Sequence, residues 1–199
     1  LSDQEIAQRK ETVDPIDTRA FPVVERRRPS GAELEKYERF KATESGVSPI
    51  SHPGIEGGTF LASGIEHNER GAPTASGEVH AQMNEKRIRK LAPLKARRDL
   101  FSFEGDPDAP IGLISWGSVA GVASEAAALA RREGIQLKLL VPRLLYPVSE
   151  EVYEDFFSSV RAGLVVEQSH QGQLFRIIRM FVDVPRGLES LARSGSNPI

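Results

Sequence analysis

Three short apolar runs, residues 111–114, 137–141 and 164–166, constrain this chain more than any other feature. Each is too short and too continuously apolar for a strand with one face in water, so each reads as a strand buried on both faces. Helical patterns separate and follow them. Ala123, Ala126, Ala127 and Ala130 recur at i, i+3, i+4 and i+7, a narrow stripe of small residues that lets a helix lie close on a sheet. Val152, Phe156 and Val160 repeat the spacing, as do Leu174, Ile177, Ile178 and Phe181. Alternating strands and helices predict a three-layer α/β/α fold with a mostly parallel sheet joined by right-handed crossovers. A further edge strand is expected at 182–184. In such a sheet, ligand-facing groups stand in the loops beyond the carboxyl ends of the strands. Those loops contain Gly117 and Ser118, the segment 142–147, and Glu167, Gln168 and Gln173.

Composition narrows the function classes. The chain has 199 residues, 39% hydrophobic and 27% charged, which is ordinary for a globular protein. A net charge of -2 argues against a general nucleic-acid binder, and no run reaches the length of a membrane span. The expected location is cytoplasmic. With no cysteine, the chain has no thiolate for an iron–sulfur cluster, a disulfide or nucleophilic catalysis. The first residue is Leu1, and Leu1-Ser2-Asp3-Gln4 reads as the end of a buried strand, as in a piece of a longer polypeptide.

Before the first buried strand the chain is irregular. Pro15, Pro22, Pro29, Pro49 and Pro53 break any long element, so this stretch is expected to be extended and to lie on other protein surface. A short helix over 32–40 capped by Ser30, a strand over 59–65 and a helix over 76–91 capped by Ser76 are predicted within it. Arg26-Arg27-Arg28 reads as a solvated or interface-bridging cluster in preference to a phosphate grip. Glu66, His67, Asn68 and Glu69 form a polar turn. A His between carboxylates suits acid–base chemistry or a metal, but His52, His80 and His170 stand at no ligand spacing, and a hydrogen-bonded turn that fixes the linker against a partner is the preferred reading. Lys86, Arg87, Arg89 and Lys90 close the 76–91 helix. They suit the negative end of its dipole and ion pairs between subunits, and a phosphate is the second reading. Gly117-Ser118 before a helix has the layout of a phosphate-binding turn, yet Gly117 and Gly121 are four apart and no Walker lysine follows, so a tight strand-to-helix turn is preferred.

Several of these segments carry a resemblance. Residues 115–125, 139–150 and 165–174 are similar to the C-terminal part of the alpha subunit of 2-oxoacid:ferredoxin oxidoreductases, most of all the 2-oxoglutarate enzymes. The strongest match is Val165-Val166-Glu167-Gln168, similar to the family's Val-Val-Glu-Gln-Asn run before Gln-Leu, with Ser169 for Asn and His170 for an aromatic. Gly64 to Gly71 resembles the family's Gly-x-Glu-His-Asp-Glu-x-Gly, with Asn68 for Asp.

The resemblance implies that residues 1–13 end a pyrimidine-binding domain, 14–109 form an extended linker region, and 110–199 form a domain like the transketolase C-terminal one. It implies a complete enzyme using thiamine diphosphate, Mg2+ and a [4Fe-4S] cluster held mainly by a beta subunit, with ferredoxin and coenzyme A as further partners. Lys86, Arg87, Arg89 and Lys90 become candidate contacts for coenzyme A phosphates. Glu66, His67, Asn68, Glu69, Gly117, Ser118, Glu167, Gln168 and Gln173 become candidate interface or cleft residues. No catalytic residue and no metal ligand is expected in this segment, which is read as a scaffold inactive by itself. A branched-chain or aromatic 2-oxoacid enzyme is the nearest alternative. A free-standing flavodoxin-like module holding a small anion or nucleotide at Gly117 is the alternative from another class.

Overall fold

The computed structural model describes residues 10–22 and 24–195. The expectation for residues 1–4 lies outside them. Contacts divide the chain into two compact units, one of Val13–Pro93 and one of the described residues from 94 onward with 10–12.

The second unit is built on a five-stranded sheet. In chain order it contains β1 (Phe101–Gly105), β2 (Ile111–Ser115), helix α3 (Val119–Arg132), β3 (Leu137–Pro142), α4 (Glu150–Phe157), β4 (Ala162–Glu167), α5 (Gln173–Phe181) and β5 (Gly187–Ala192). The strand order is β1-β3-β2-β4-β5, with β1 antiparallel to β3 and every other pair parallel. The three runs are the central strands; Lys138, inside the second of them, is buried and donates its ammonium to the Pro107 carbonyl at 2.6 Å and the Ser159 hydroxyl at 2.8 Å.

Alternation along these strands feeds two cores. Leu137 and Leu139 of β3 join Ala123 and Ala127 of α3 on one face, with Ile111 and Leu113 packed against them. Leu140, Ile114 and Val165 point the other way into a larger cluster with Val152, Phe156, Leu174 and Ile178 of α4 and α5. From β2 the chain moves outward to β3 by way of α3. It then crosses back over β2 to β4 by way of α4 on the opposite face. Direction and face reverse together, which keeps the crossovers of one hand.

The sheet differs from expectation at both edges. Residues 182–184 do not pair, and the edge strand forms at Gly187–Ala192. Val182 is buried and completes the α5 side of the core instead. The opposite edge, β1, comes from the segment expected to be extended linker. Phe101 is its buried anchor, while Phe103, two residues on, is half-exposed at the sheet edge; the apolar alternation of Phe101-Ser102-Phe103-Glu104 is present in the sequence but too short to stand out from its irregular surroundings.

The Val13–Pro93 unit is held differently. Its helices are α1 (Gly31–Leu34) and α2 (Gly77–Arg89). Ser30 caps α1 through a full capping box with Glu33, but the helix stops at Leu34, three residues into the expected nine-residue run. Ser76 caps α2 as expected. Residues 59–65 form no strand. Neither hydrophobic cluster reaches this unit, where Met83 is the buried apolar side chain among the described residues. Aromatic edges substitute for a core: Tyr37 and Phe40 both meet Phe60, at 6.1 and 6.4 Å between centroids. Tyr37 also receives the Ser51 amide at 2.8 Å and donates to the Pro49 carbonyl.

The alanine stripe of α3 gives a test of the layering. Ala127 is fully buried, whereas Ala126 faces outward. Ala127→Leu should cost about 1–3 kcal/mol by overpacking the α3 face, and Ala126→Leu should stay within about 0.5 kcal/mol of the parent. Urea unfolding midpoints of the two variants measure the difference.

Candidate functional site

The reversal of winding puts a switch point between β2 and β4. Their connections leave the carboxyl edge for opposite faces, through α3 and α5, and open sheets of this kind carry ligands at such a crevice. Two loops form it. Ser115, fully buried, closes the strand ends by donating its hydroxyl to the Val166 carbonyl at 2.9 Å. Gly117 turns the chain with φ 63°, a left-handed conformation that a side chain would resist. Ser118 then precedes α3, and its hydroxyl makes no cap bond to the helix. This geometry fits the tight-turn reading of Gly117-Ser118.

Glu167 is placed otherwise than a cleft residue. It is fully buried, and its two carboxylate oxygens accept the Leu174 and Phe175 amides at 2.9 and 3.1 Å. The positive pole of α5 is thereby met from inside the fold. Ser169 takes the neighbouring Gly172 and Gln173 amides at 3.0 and 3.2 Å. The Glu167 carbonyl receives the Arg193 amide, tying the chain end of β5 to the same corner. Gln168 is half-buried and Gln173 exposed at the first turn of α5. His170 pairs its Nδ1 with the Ser194 hydroxyl at 2.9 Å.

The second candidate cluster lies within the Val13–Pro93 unit. Glu66 receives Arg87 with both carboxylate oxygens, at 2.9 and 3.3 Å, and faces His80 Nδ1 at 2.8 Å. The Arg87 guanidinium is the main cause that pulls its carboxyl down to about 2. His67 sets Nδ1 against the Asn68 carbonyl at 3.0 Å and lays its ring on Phe40, 4.0 Å between centroids. Asn68 Oδ1 accepts the Arg70 and Ala72 amides at 3.0 and 3.1 Å, an Asx-type turn. Glu69 takes the Ala42 amide at 2.6 Å. The turn therefore binds its own chain together, from 40–42 on one side to α2 on the other.

The basic cluster is sorted by the fold. Lys86, Arg87 and Lys90 line a cavity of about 270 Å³ with Arg39, Gly46 and Ser48, and Arg89 is not part of its wall. Lys86 is almost completely buried, and its ammonium donates to the Phe40 carbonyl at 2.6 Å. Burial, followed by the charges of Arg39 and Lys90, depresses its pKa to about 8. Arg39 was not marked by the sequence: it falls in the expected 32–40 helix, but the helix ends at Leu34 and Arg39 reaches the cavity along an irregular path. In the Arg26-Arg27-Arg28 triplet, Arg27 pairs with Glu33 at 2.7 Å and Arg28 reaches His52 at 3.2 Å.

No family model matches the chain. Among curated proteins it is 30% identical over 151 residues to 2-oxoacid:ferredoxin oxidoreductase 2, subunit alpha, of Aeropyrum pernix, covering 74% of this chain and 23% of that protein. It is 28% identical to the corresponding alpha subunit of Saccharolobus solfataricus, with 73% and 23% covered. Its fold aligns with 2-oxoglutarate:ferredoxin oxidoreductase from Magnetococcus marinus at a TM-score of 0.77 and 31% identity, over 90% of this chain and 31% of that one. The chain is homologous to part of a 2-oxoacid:ferredoxin oxidoreductase alpha subunit. It spans about a quarter of the length of those curated relatives.

The chain's own residues do not fit the metal groups of such an enzyme. It has no cysteine for an iron–sulfur cluster, and among the described residues no group of three or more His, Asp or Glu is placed to hold a metal ion. None of the described helices is long and apolar enough to cross a membrane.

Two outcomes follow from these placements. Glu167→Ala should cost at least about 2 kcal/mol by orphaning two buried amides, and Glu167→Gln, which retains one acceptor oxygen, should cost less; chemical denaturation of both variants checks the order. Lys86 is charged in the folded and unfolded chain below about pH 8, so its burial penalty is constant there. Between about 8 and the ordinary 10.5 the folded chain binds fewer protons, and stability of the Val13–Pro93 unit should rise with pH. Hydrogen exchange of the α2 amides should show this rise, and Lys86→Met should remove it.

Proposed function

We propose that the chain is part of the alpha subunit of a thiamine diphosphate-dependent 2-oxoglutarate:ferredoxin oxidoreductase. The complete enzyme would convert 2-oxoglutarate, coenzyme A and oxidised ferredoxin into succinyl-CoA, CO2 and reduced ferredoxin, with two electrons leaving to ferredoxin for each 2-oxoacid decarboxylated. The observation that carries this reading is the alignment with the Magnetococcus marinus enzyme, a structure with 2-oxoglutarate, coenzyme A and succinyl-CoA bound, because it extends over 90% of the chain. Thiamine diphosphate, Mg2+ and the cluster would be held mainly by a beta subunit, in a complex located in the cytoplasm.

Within that enzyme the segment has a structural and assembly role. The Val13–Pro93 unit supports this assignment by the surface it exposes: Val13, Ile16, Phe21, Val24, Leu61 and Ile65 are all more than half exposed. A unit with so little buried apolar area gains stability by laying such side chains on another protein surface. Glu66, His67, Asn68 and Glu69 then act by fixing the turn that carries this surface, and Gly117, Ser118, Gln168 and Gln173 by shaping the rim of the sheet. The curated relatives are named for 2-oxoacids in general, which keeps a branched-chain or aromatic 2-oxoacid as the second substrate reading.

The test is reconstitution. A complete alpha subunit containing this segment, purified with its beta subunit, should reduce ferredoxin in the presence of 2-oxoglutarate and coenzyme A, and the 199-residue chain alone should not. Faster turnover of a branched or aromatic 2-oxoacid would replace the substrate assignment. Failure of the chain to join any thiamine- and cluster-bearing partner would remove the enzyme reading altogether.

A further inference from the structure

The cavity in the Val13–Pro93 unit concentrates positive charge that the fold leaves uncompensated. Four cations, Arg39, Lys86, Arg87 and Lys90, line it, and no carboxylate does. Arg87 is engaged by Glu66, and Glu69, the nearest acidic neighbour of Lys86, spends an oxygen on the Ala42 amide. Among the described residues, neither Arg39 nor Lys90 has a carboxylate partner. Arg39 instead stacks its guanidinium over Phe40 and Phe60, 5.2 and 5.8 Å from the ring centroids, which fixes the plane of the group at the cavity wall. The Lys86 ammonium has three donors and one protein acceptor, the Phe40 carbonyl.

We propose that this cavity binds a phosphate-type dianion, gripped by Arg39, Lys86 and Lys90. Arg39 presents the planar fork that matches two phosphate oxygens, and the two ammonium groups add point charges from α2 and its C-terminal cap. The cavity has room for a phosphoryl group together with ordered water or an attached organic part. Arriving negative charge would also relieve the strain that burial and like charges place on Lys86. The inference stands on the cavity's own charges and does not depend on the reaction proposed above.

Calorimetric titration of the 199-residue chain at low ionic strength tests it, with inorganic phosphate, pyrophosphate and adenosine 3',5'-bisphosphate as probes. Phosphate compounds should bind, and salt at about 0.15 M should weaken them. Arg39→Gln and Lys90→Gln should each lower affinity by about tenfold, the loss of one charge-assisted contact, with circular dichroism melting curves confirming that both variants fold. Arg89→Gln, on the same helix but outside the cavity wall, should leave affinity unchanged. Tighter binding of the bisphosphate than of pyrophosphate would identify a nucleotide-borne phosphate as the ligand, and the reverse order a free phosphate. Absence of binding by all three probes, or an equal loss in Arg89→Gln, would overturn the proposal.

Discussion

Alternation along β3 sends Leu137 and Leu139 to one face of the sheet and Leu140 to the other, and an element apolar on both sides has to be covered twice. That requirement organises the unit. One cover is α3, whose Ala123 and Ala127 let it sit close on the strands. The other is the pair α4 and α5, which bring Val152, Phe156, Leu174 and Ile178 into the larger cluster. Because the covers lie on opposite faces, the chain must reverse its direction of winding between them, and the crevice between β2 and β4 follows from this alone. The place where such folds carry ligands is thus set by hydrophobic burial before any polar residue is considered.

The polar residues at that crevice then do structural work. Glu167 gives both carboxylate oxygens to the first turn of α5, and Ser169 takes the two amides before it. Ser115 closes the strand ends across from them. The Val13–Pro93 unit shows the complementary solution. It buries Met83 and little else that is apolar, so a capping box, aromatic edges and the paired Glu66 and Arg87 hold it. A segment of this kind is well suited to assembly, since its exposed apolar side chains are available to a neighbouring surface.

What the sequence revealed follows the strength of each periodic signal. The central strands, α3, α5 and the Ser76-capped helix α2 were legible because apolar spacing or a cap residue marks each of them. The edge strands were not. β1 offers a single apolar alternation, Phe101 and Phe103, too short to stand out, and in β5 Leu188 and Leu191 are three apart, which breaks the period of two. Residues 59–65 carry apolar side chains, yet no strand forms there. Among the candidate site residues, the Glu66–Glu69 turn was legible as polar chemistry close in sequence. The company Arg39 keeps with Lys86 and Lys90 was not, because it depends on an irregular path that brings residues about fifty positions apart to one wall.

The cap supplied by Glu167 has one further effect. Helix starts at the carboxyl edge of a parallel sheet ordinarily offer a vacant electropositive berth to whatever anion approaches. Here the berth at α5 is taken by a residue of the preceding strand, so this corner of the crevice is electrically closed to outside anions. A molecule that settles there would be recognised by its contour, or by side chains that a neighbouring subunit brings with it.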